Sequence, residues 1–147
     1  MSEVKMPWLK SLGDVPSHLE YFQGSMFDAV KSVAEKYPDN IAYMFMGKPT
    51  TYKMLVHQVE LCARSLRTIG IREGDAVTIA MPNCPQAIQM FYALNEVGAV
   101  ANMVHPLSSE KELEFYLNVS NSVSLLTLDQ FYHKLEAIRQ NTKVVNI

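Results

Sequence analysis

Four histidines, two cysteines and three closely spaced glutamates are the side chains in this sequence most able to do covalent or proton-transfer chemistry. A nucleophile needs a base within hydrogen-bond reach and a third group to orient that base. His18 falls in an N-terminal arm and His57 and His133 on amphipathic helices, where solvation or a structural hydrogen bond outweighs chemistry. His105 differs because it follows a buried strand at its carboxyl end, where open α/β sheets place their ligands. Two readings of it stand: a ligand-side group, or a loop stiffener beside Pro106, which the residues alone favour. Cys62 and Cys84 are not in C-x-x-C spacing and lack a histidine set, so they read as reduced, mostly buried thiols rather than a zinc or redox site. Glu110, Glu112 and Glu114 form the solvated face of one short helix, two of them as first-turn charges favoured by the helix dipole.

Phosphate chemistry would need glycines close together, so that consecutive N–H groups reach an anion without an intervening Cβ. The six glycines do not cluster. The nearest pair, Gly70 and Gly74, is followed by Asp75 and leads into a strand, the wrong order and an unhelpful charge. Neither G-x-G-x-x-G nor G-x-x-x-x-G-K-S/T occurs, so no nucleotide loop is expected within these residues.

The elements that must position these groups follow from periodicity. Residues 1–24, with Pro7, Gly13, Pro16 and Gly24 and no sustained period, predict an extended arm that Trp8 and Leu9 anchor. Residues 25–147 predict an incomplete α/β unit. Ser25 caps a helix whose inner face holds Phe27, Val30, Val33, Ala34 and Tyr37, stopped by Pro38. Ile41 to Met46, a turn at Gly47-Lys48 and an edge at Pro49 predict a small hairpin. Thr51 caps a second helix carrying Leu55, Val59, Cys62, Leu66 and Ile69 as far as Gly70. Ala76–Met81 is a nearly unbroken apolar run, the mark of a strand buried on both faces, and Pro85 opens a helix bearing Ile88, Phe91, Tyr92 and Val97 up to Gly98. The unit repeats as strand 99–104, a helix boxed by Ser109 and Glu112, strand 122–127, a helix with Phe131, Leu135 and Ile138, and a strand over 143–147. Met44, Met46, Met81, Met90 and Met103 are expected as core filling. The fold class is therefore α/β, a mostly parallel sheet with helices on both faces. A sheet that stops without a closing helix reads as a truncated domain.

Composition removes several partners. The 147 residues are 48% hydrophobic, and 13 basic against 15 acidic side chains give a net charge of −2. Scattered basic residues leave no footprint for nucleic acid or an anionic membrane. There is no transmembrane run and no signal-peptide order at Met1-Ser2-Glu3-Val4-Lys5, so a cytoplasmic location is expected.

Pro38-Asp39-Asn40-Ile41-Ala42, Thr51-Tyr52-Lys53-Met54-Leu55 and the block Gly74 to Pro85, in that order, resemble the N-terminal region of acyl-adenylate-forming enzymes, closest to the acyl-CoA synthetases. Gly98-Ala99-Val100, His105-Pro106-Leu107 and Ser109 to Leu113 resemble the family's next block, and Trp8-Leu9 with Leu19-Glu20-Tyr21 its leader. The resemblance covers nearly the whole chain. It implies a ligase that activates a fatty or other apolar carboxylic acid with ATP and magnesium to an acyl-adenylate, then passes the acyl group to coenzyme A. It also implies that the ATP-binding loop, acyl pocket and catalytic lysine lie later in the family's sequence. No catalytic or metal-binding residue and no bound cofactor are then expected here, and the isolated chain is expected to be inactive. Its partners would be the remainder of the synthetase, or a second copy through exposed sheet surface. His105 and Ser108 are the candidate cofactor-side residues, because in some CoA ligases the matching loop lies near the coenzyme A channel. Met54 departs from the family, which commonly places there a glutamate that would complete a capping box with Thr51. The rival reading is a non-catalytic α/β binding module.

Overall fold

A computed structural model describes residues 6–147; the first five residues of the expected arm lie outside the described part. Residues 6–24 contain one 3-10 turn, Pro7–Ser11. Trp8 and Leu9 do not anchor it: both are exposed, Trp8 by 57%.

Helix α1, Met26–Lys36, begins where expected, and its cap is stronger than the Ser25 hydroxyl alone. Ser25 Oγ accepts from the Asp28 amide at 3.0 Å while Asp28 Oδ2 accepts from the Ser25 amide at 3.0 Å, a reciprocal box. Strands β1, Ile41–Phe45, and β2, Lys48–Thr51, pair antiparallel around Met46 and Gly47, both at positive φ. Helix α2, Tyr52–Thr68, is capped by Thr51 and buries Leu55, Val59, Ala63 and Leu66. Cys62 beside that row is half-buried and Ile69 half exposed, so the inner face is rotated slightly from the expected one.

Three βα units follow. They comprise β3, Ala76–Ala80, with α3, Pro85–Val97; β4, Val100–Met103, with α4, Glu110–Val119; and β5, Ser124–Thr127, with α5, Tyr132–Ile138. The three strands form a parallel sheet in the order β4-β3-β5. Strand alternation divides the core in two. Val77 and Ile79 of β3 pack with α1, α2 and α3, whereas Ala80 packs with Leu113 and Leu117 of α4, Leu125 and Leu135. Helices therefore cover both faces. On α3 the expected apolar face is only half-buried; Ala87, Ala93 and Leu94 are the buried positions, because alanines let the helix approach its neighbours closely.

Several boundaries move. Strands β4 and β5 begin later than the apolar runs predict, since Ala99 and Ser122 are used to close the preceding helices. Phe131 ends a 3-10 turn, Asp129–Phe131, ahead of α5. The expected strand at 143–147 is reduced to one parallel bridge, Ser124 to Asn146, supported by Leu125 N–H to Asn146 O at 3.1 Å. The methionine reading is corrected in part: Met81 and Met90 pack against the core, but Met44, Met46 and Met103 are 62%, 88% and 55% exposed. Two belong to a hairpin with one face unpartnered and the third to the edge strand β4.

Candidate functional site

Strand β3 leads into α3 on one face of the sheet and its neighbour β4 into α4 on the other. Where connections from adjacent strands diverge in this way, their carboxyl ends leave a crevice. An open cleft of about 640 Å³ lies there. Its walls are Met81 to Asn83 after β3, Met103 to Leu107 after β4, and Leu128, Gln130 and Phe131 after β5. They are mainly apolar, with three polar side chains, Asn83, His105 and Gln130, and among the described residues no Lys, Arg, Asp or Glu.

His105 is exposed on this cleft and also braces its own loop. Its Nδ1 accepts from the Leu107 N–H at 3.2 Å and its carbonyl accepts from the Ser108 N–H at 3.1 Å. Accepting at Nδ1 puts the proton of the neutral ring on Nε2, so the remaining nitrogen is a donor. Ser108 is half-buried and does not line the cleft; its carbonyl accepts from Lys134 Nζ at 2.7 Å. The two candidates thus share a turn, but only His105 faces the crevice. Glu112 holds the next helix start: its carboxylate accepts from the Ser109 amide at 2.8 Å and the Ser109 hydroxyl at 2.9 Å. Those bonds keep its pKa below the usual carboxylate range. His18, His57 and His133 are exposed and away from the cleft lining.

Asn83 and Gln130 were not singled out from sequence. Each follows a strand by three residues, so the carboxyl-end rule applied to His105 would have found both. A buried network stiffens the strand that carries His105. Thr78 Oγ1 and Ser122 Oγ lie 2.7 Å apart, and Asn102 Nδ2 donates to Thr78 Oγ1 at 2.9 Å and to Ser120 Oγ at 3.2 Å.

Among the described residues no three His, Cys, Asp or Glu side chains gather to hold a metal ion. The positive-φ glycines, Gly13, Gly47, Gly70, Gly74 and Gly98, are dispersed over turns and helix ends and form no phosphate-binding loop. No helix among the described residues is long and apolar enough to cross a membrane.

Comparison with known proteins supplies what the geometry leaves open. The sequence pattern of the AMP-binding enzymes matches residues 30–147. A long-chain-fatty-acid–CoA ligase of Bacillus subtilis is 30% identical over 137 residues, an alignment covering 92% of this chain and 24% of the relative. The N-terminal domain of FACL13 from Mycobacterium tuberculosis superposes with a TM-score of 0.79 at 25% identity, covering 84% of this chain and 33% of that domain. A long-chain-fatty-acid-CoA ligase from Archaeoglobus fulgidus, FadD1, superposes with a TM-score of 0.80 at 23% identity, over 87% of this chain and 27% of that one, which speaks to the fold alone. The chain spans about a quarter of the length of the curated relatives it matches.

Proposed function

Because the chain belongs to the AMP-binding enzyme family, we propose that it supplies the N-terminal part of an ATP-dependent acyl-CoA synthetase acting on a fatty or other apolar acid. The observation that carries this reading is the family match over residues 30–147, from within α1 to the last described residue. In the proposed reaction a carboxylate oxygen attacks the α-phosphorus of ATP, pyrophosphate leaves, and the thiol of coenzyme A then displaces AMP from the acyl carbon. A carboxylate is otherwise a poor acyl donor; AMP provides the leaving group. The cations and glycine-rich loop that would stabilise phosphoryl transfer are assigned to other segments of the enzyme. This chain's share is to frame the crevice. His105 presents its Nε2 on the coenzyme A side, and Ser108, through its carbonyl bond to Lys134, ties the loop to α5. The enzyme is assigned to the cytoplasm.

The test is a chimera in which these 147 residues replace the matching quarter of the Bacillus subtilis relative. The expected result is fatty-acid-dependent exchange of labelled pyrophosphate into ATP, and thioester formation once coenzyme A is added. A chimera that unfolds cooperatively yet supports neither reaction with any saturated acid would overturn the assignment. The 147-residue chain alone is expected to give no exchange; exchange by it would place the ATP site here after all.

A further inference from the structure

We propose that Lys134, in the first turn of α5, is a positioning residue for the cleft: its ammonium holds in place the turn that carries His105. That turn has little else to hold it. His105 and Leu107 are exposed, Leu107 by 65%, so burial of apolar surface contributes little. Its other hydrogen bonds close on the turn itself, Ser108 N–H to the His105 carbonyl at 3.1 Å and Leu107 N–H to His105 Nδ1 at 3.2 Å. Among the described residues, the one hydrogen bond from positions 105–108 to another element runs from Lys134 Nζ to the Ser108 carbonyl, at 2.7 Å.

The lysine is equally committed to that bond. It is half-buried, and among the described residues its ammonium donates to no other group and pairs with no carboxylate. A lysine stem ordinarily lets the charged head reach water. Here the head is drawn inward by a charge-assisted bond, roughly twice as strong as a neutral one, and by the ring of Phe131, whose centroid lies 5.0 Å from Nζ. Phe131 is itself a wall of the cleft. One cation therefore engages two of the three wall segments, the turn after β4 and the 3-10 turn after β5. Because β3 lies between those two strands, the clamp sets the spacing of the walls on either side of it and, with that, the place of His105 in the crevice. The clamp rests on this geometry alone; its consequence for coenzyme A rests on the synthetase reading above.

NMR relaxation of the 147-residue chain tests the clamp. In the unaltered chain the Leu107 and Ser108 amides should have the order parameters of rigid backbone, about 0.85. Lys134→Met keeps an apolar stem over Phe131 and removes the charge, and should lower both values to about 0.6 or below while amide exchange at Val77 to Ala80 stays as it was. Lys134→Arg keeps a cation and should restore most of the rigidity. In the chimera, Lys134→Met should raise the KM for coenzyme A roughly three- to tenfold, reflecting the ordering of a loosened turn on binding, with kcat within about twofold. Lys134→Arg should recover most of that rise. Order parameters already near about 0.6 in the unaltered chain, or unchanged in Lys134→Met, would overturn the clamp. So would equal losses in both variants together with faster exchange in β3, which mark general destabilisation. An active chimera whose coenzyme A KM does not respond to Lys134→Met overturns the positioning role. A chimera that is inactive with the lysine in place counts against the synthetase reading alone, and the relaxation data still decide the clamp.

Discussion

Thr78 shows what a single side chain decides here. It is the one polar residue in the middle of an apolar strand, fully buried, and the sequence places it as a β-branched strand former. In the structure its hydroxyl meets Ser122 and Asn102, tying β3 to β4 and to the end of α4. Thr78→Val keeps the shape but removes two hydrogen bonds, to Ser122 and to half-buried Asn102, both of which keep Ser120 Oγ as a partner, so a loss of about 1 to 3 kcal/mol in urea unfolding is expected. Substituting a cap should cost less. Ser25→Ala is expected to lose about 1 kcal/mol and Thr51→Ala rather less, since Thr51 Oγ1 accepts from Met54 N–H at 3.3 Å with no reciprocal carboxylate. Two caps also govern acid stability. Asp28 titrates below the usual carboxylate range because of the Ser25 hydroxyl, then Lys31 and the Ser25 amide; Glu112 does so because of the Ser109 amide and hydroxyl. A depressed folded pKa gives stability that is present above the unfolded value, roughly 4, and lost as pH falls toward the folded one. The urea midpoint should therefore change little between pH 7 and pH 5 from these groups and drop below about pH 4. The pair Asp28→Asn, Glu112→Gln should flatten that drop. Ser25 and Ser109 as caps were legible because capping is local. The methionines were not: Met44, Met46 and Met103 have the right residue type for a core, and burial depends on what stands opposite.

At the level of elements, one device recurs. Helices α2, α3 and α4 end on left-handed residues, Gly70, Gly98 and Asn121, at φ of 93°, 82° and 52°. In each, the next residue donates back five positions: Ile71 to Leu66 at 3.0 Å, Ala99 to Leu94 at 2.9 Å, Ser122 to Leu117 at 2.9 Å. These are Schellman closures. They explain why the apolar runs overestimate β4 and β5, whose first expected residues are already committed to a helix end. The glycine stops were readable; Asn121, where asparagine substitutes for glycine, was passed over. Gly98 is the most constrained of the three, because an added Cβ would lie 3.0 Å from Glu73 Cγ in addition to the positive φ. Gly98→Ala is expected to cost about 1 to 2 kcal/mol by thermal or urea unfolding. The hairpin offers the opposite change. Met46 holds φ of 48° in the turn with a side chain 88% exposed, and asparagine adopts that conformation more readily. Met46→Asn should raise stability by about 0.5 to 1 kcal/mol, read as an upward shift in Tm of a few degrees.

Across the whole molecule the central strand is the structural pivot. Strand β3 pairs on both sides and contributes alternate residues to both cores, whereas the hairpin forms a separate two-stranded sheet. Amide exchange should be slowest at Val77 to Ala80, requiring global opening, and faster by orders of magnitude in residues 6–24; slower exchange in the hairpin than in β3 would contradict this layout. The local grammar of the sequence determined the elements and the class. Periodicity marks which stretches are helix or strand, capping and left-handed positions mark most of their ends, and continuous apolar strands require cover on both faces. All of those are interactions within a few residues. Only the tertiary structure decided the strand order β4-β3-β5, the crevice that this order opens, and the meeting of His105, Asn83 and Gln130 around it. Sequence spacing carries no record of which carboxyl ends become neighbours, because that is set by packing among residues twenty to fifty positions apart. Ser108 makes the same point from the other side: three residues from His105, it does not line the crevice, and its carbonyl is held by Lys134 in a bond that only the folded chain can form.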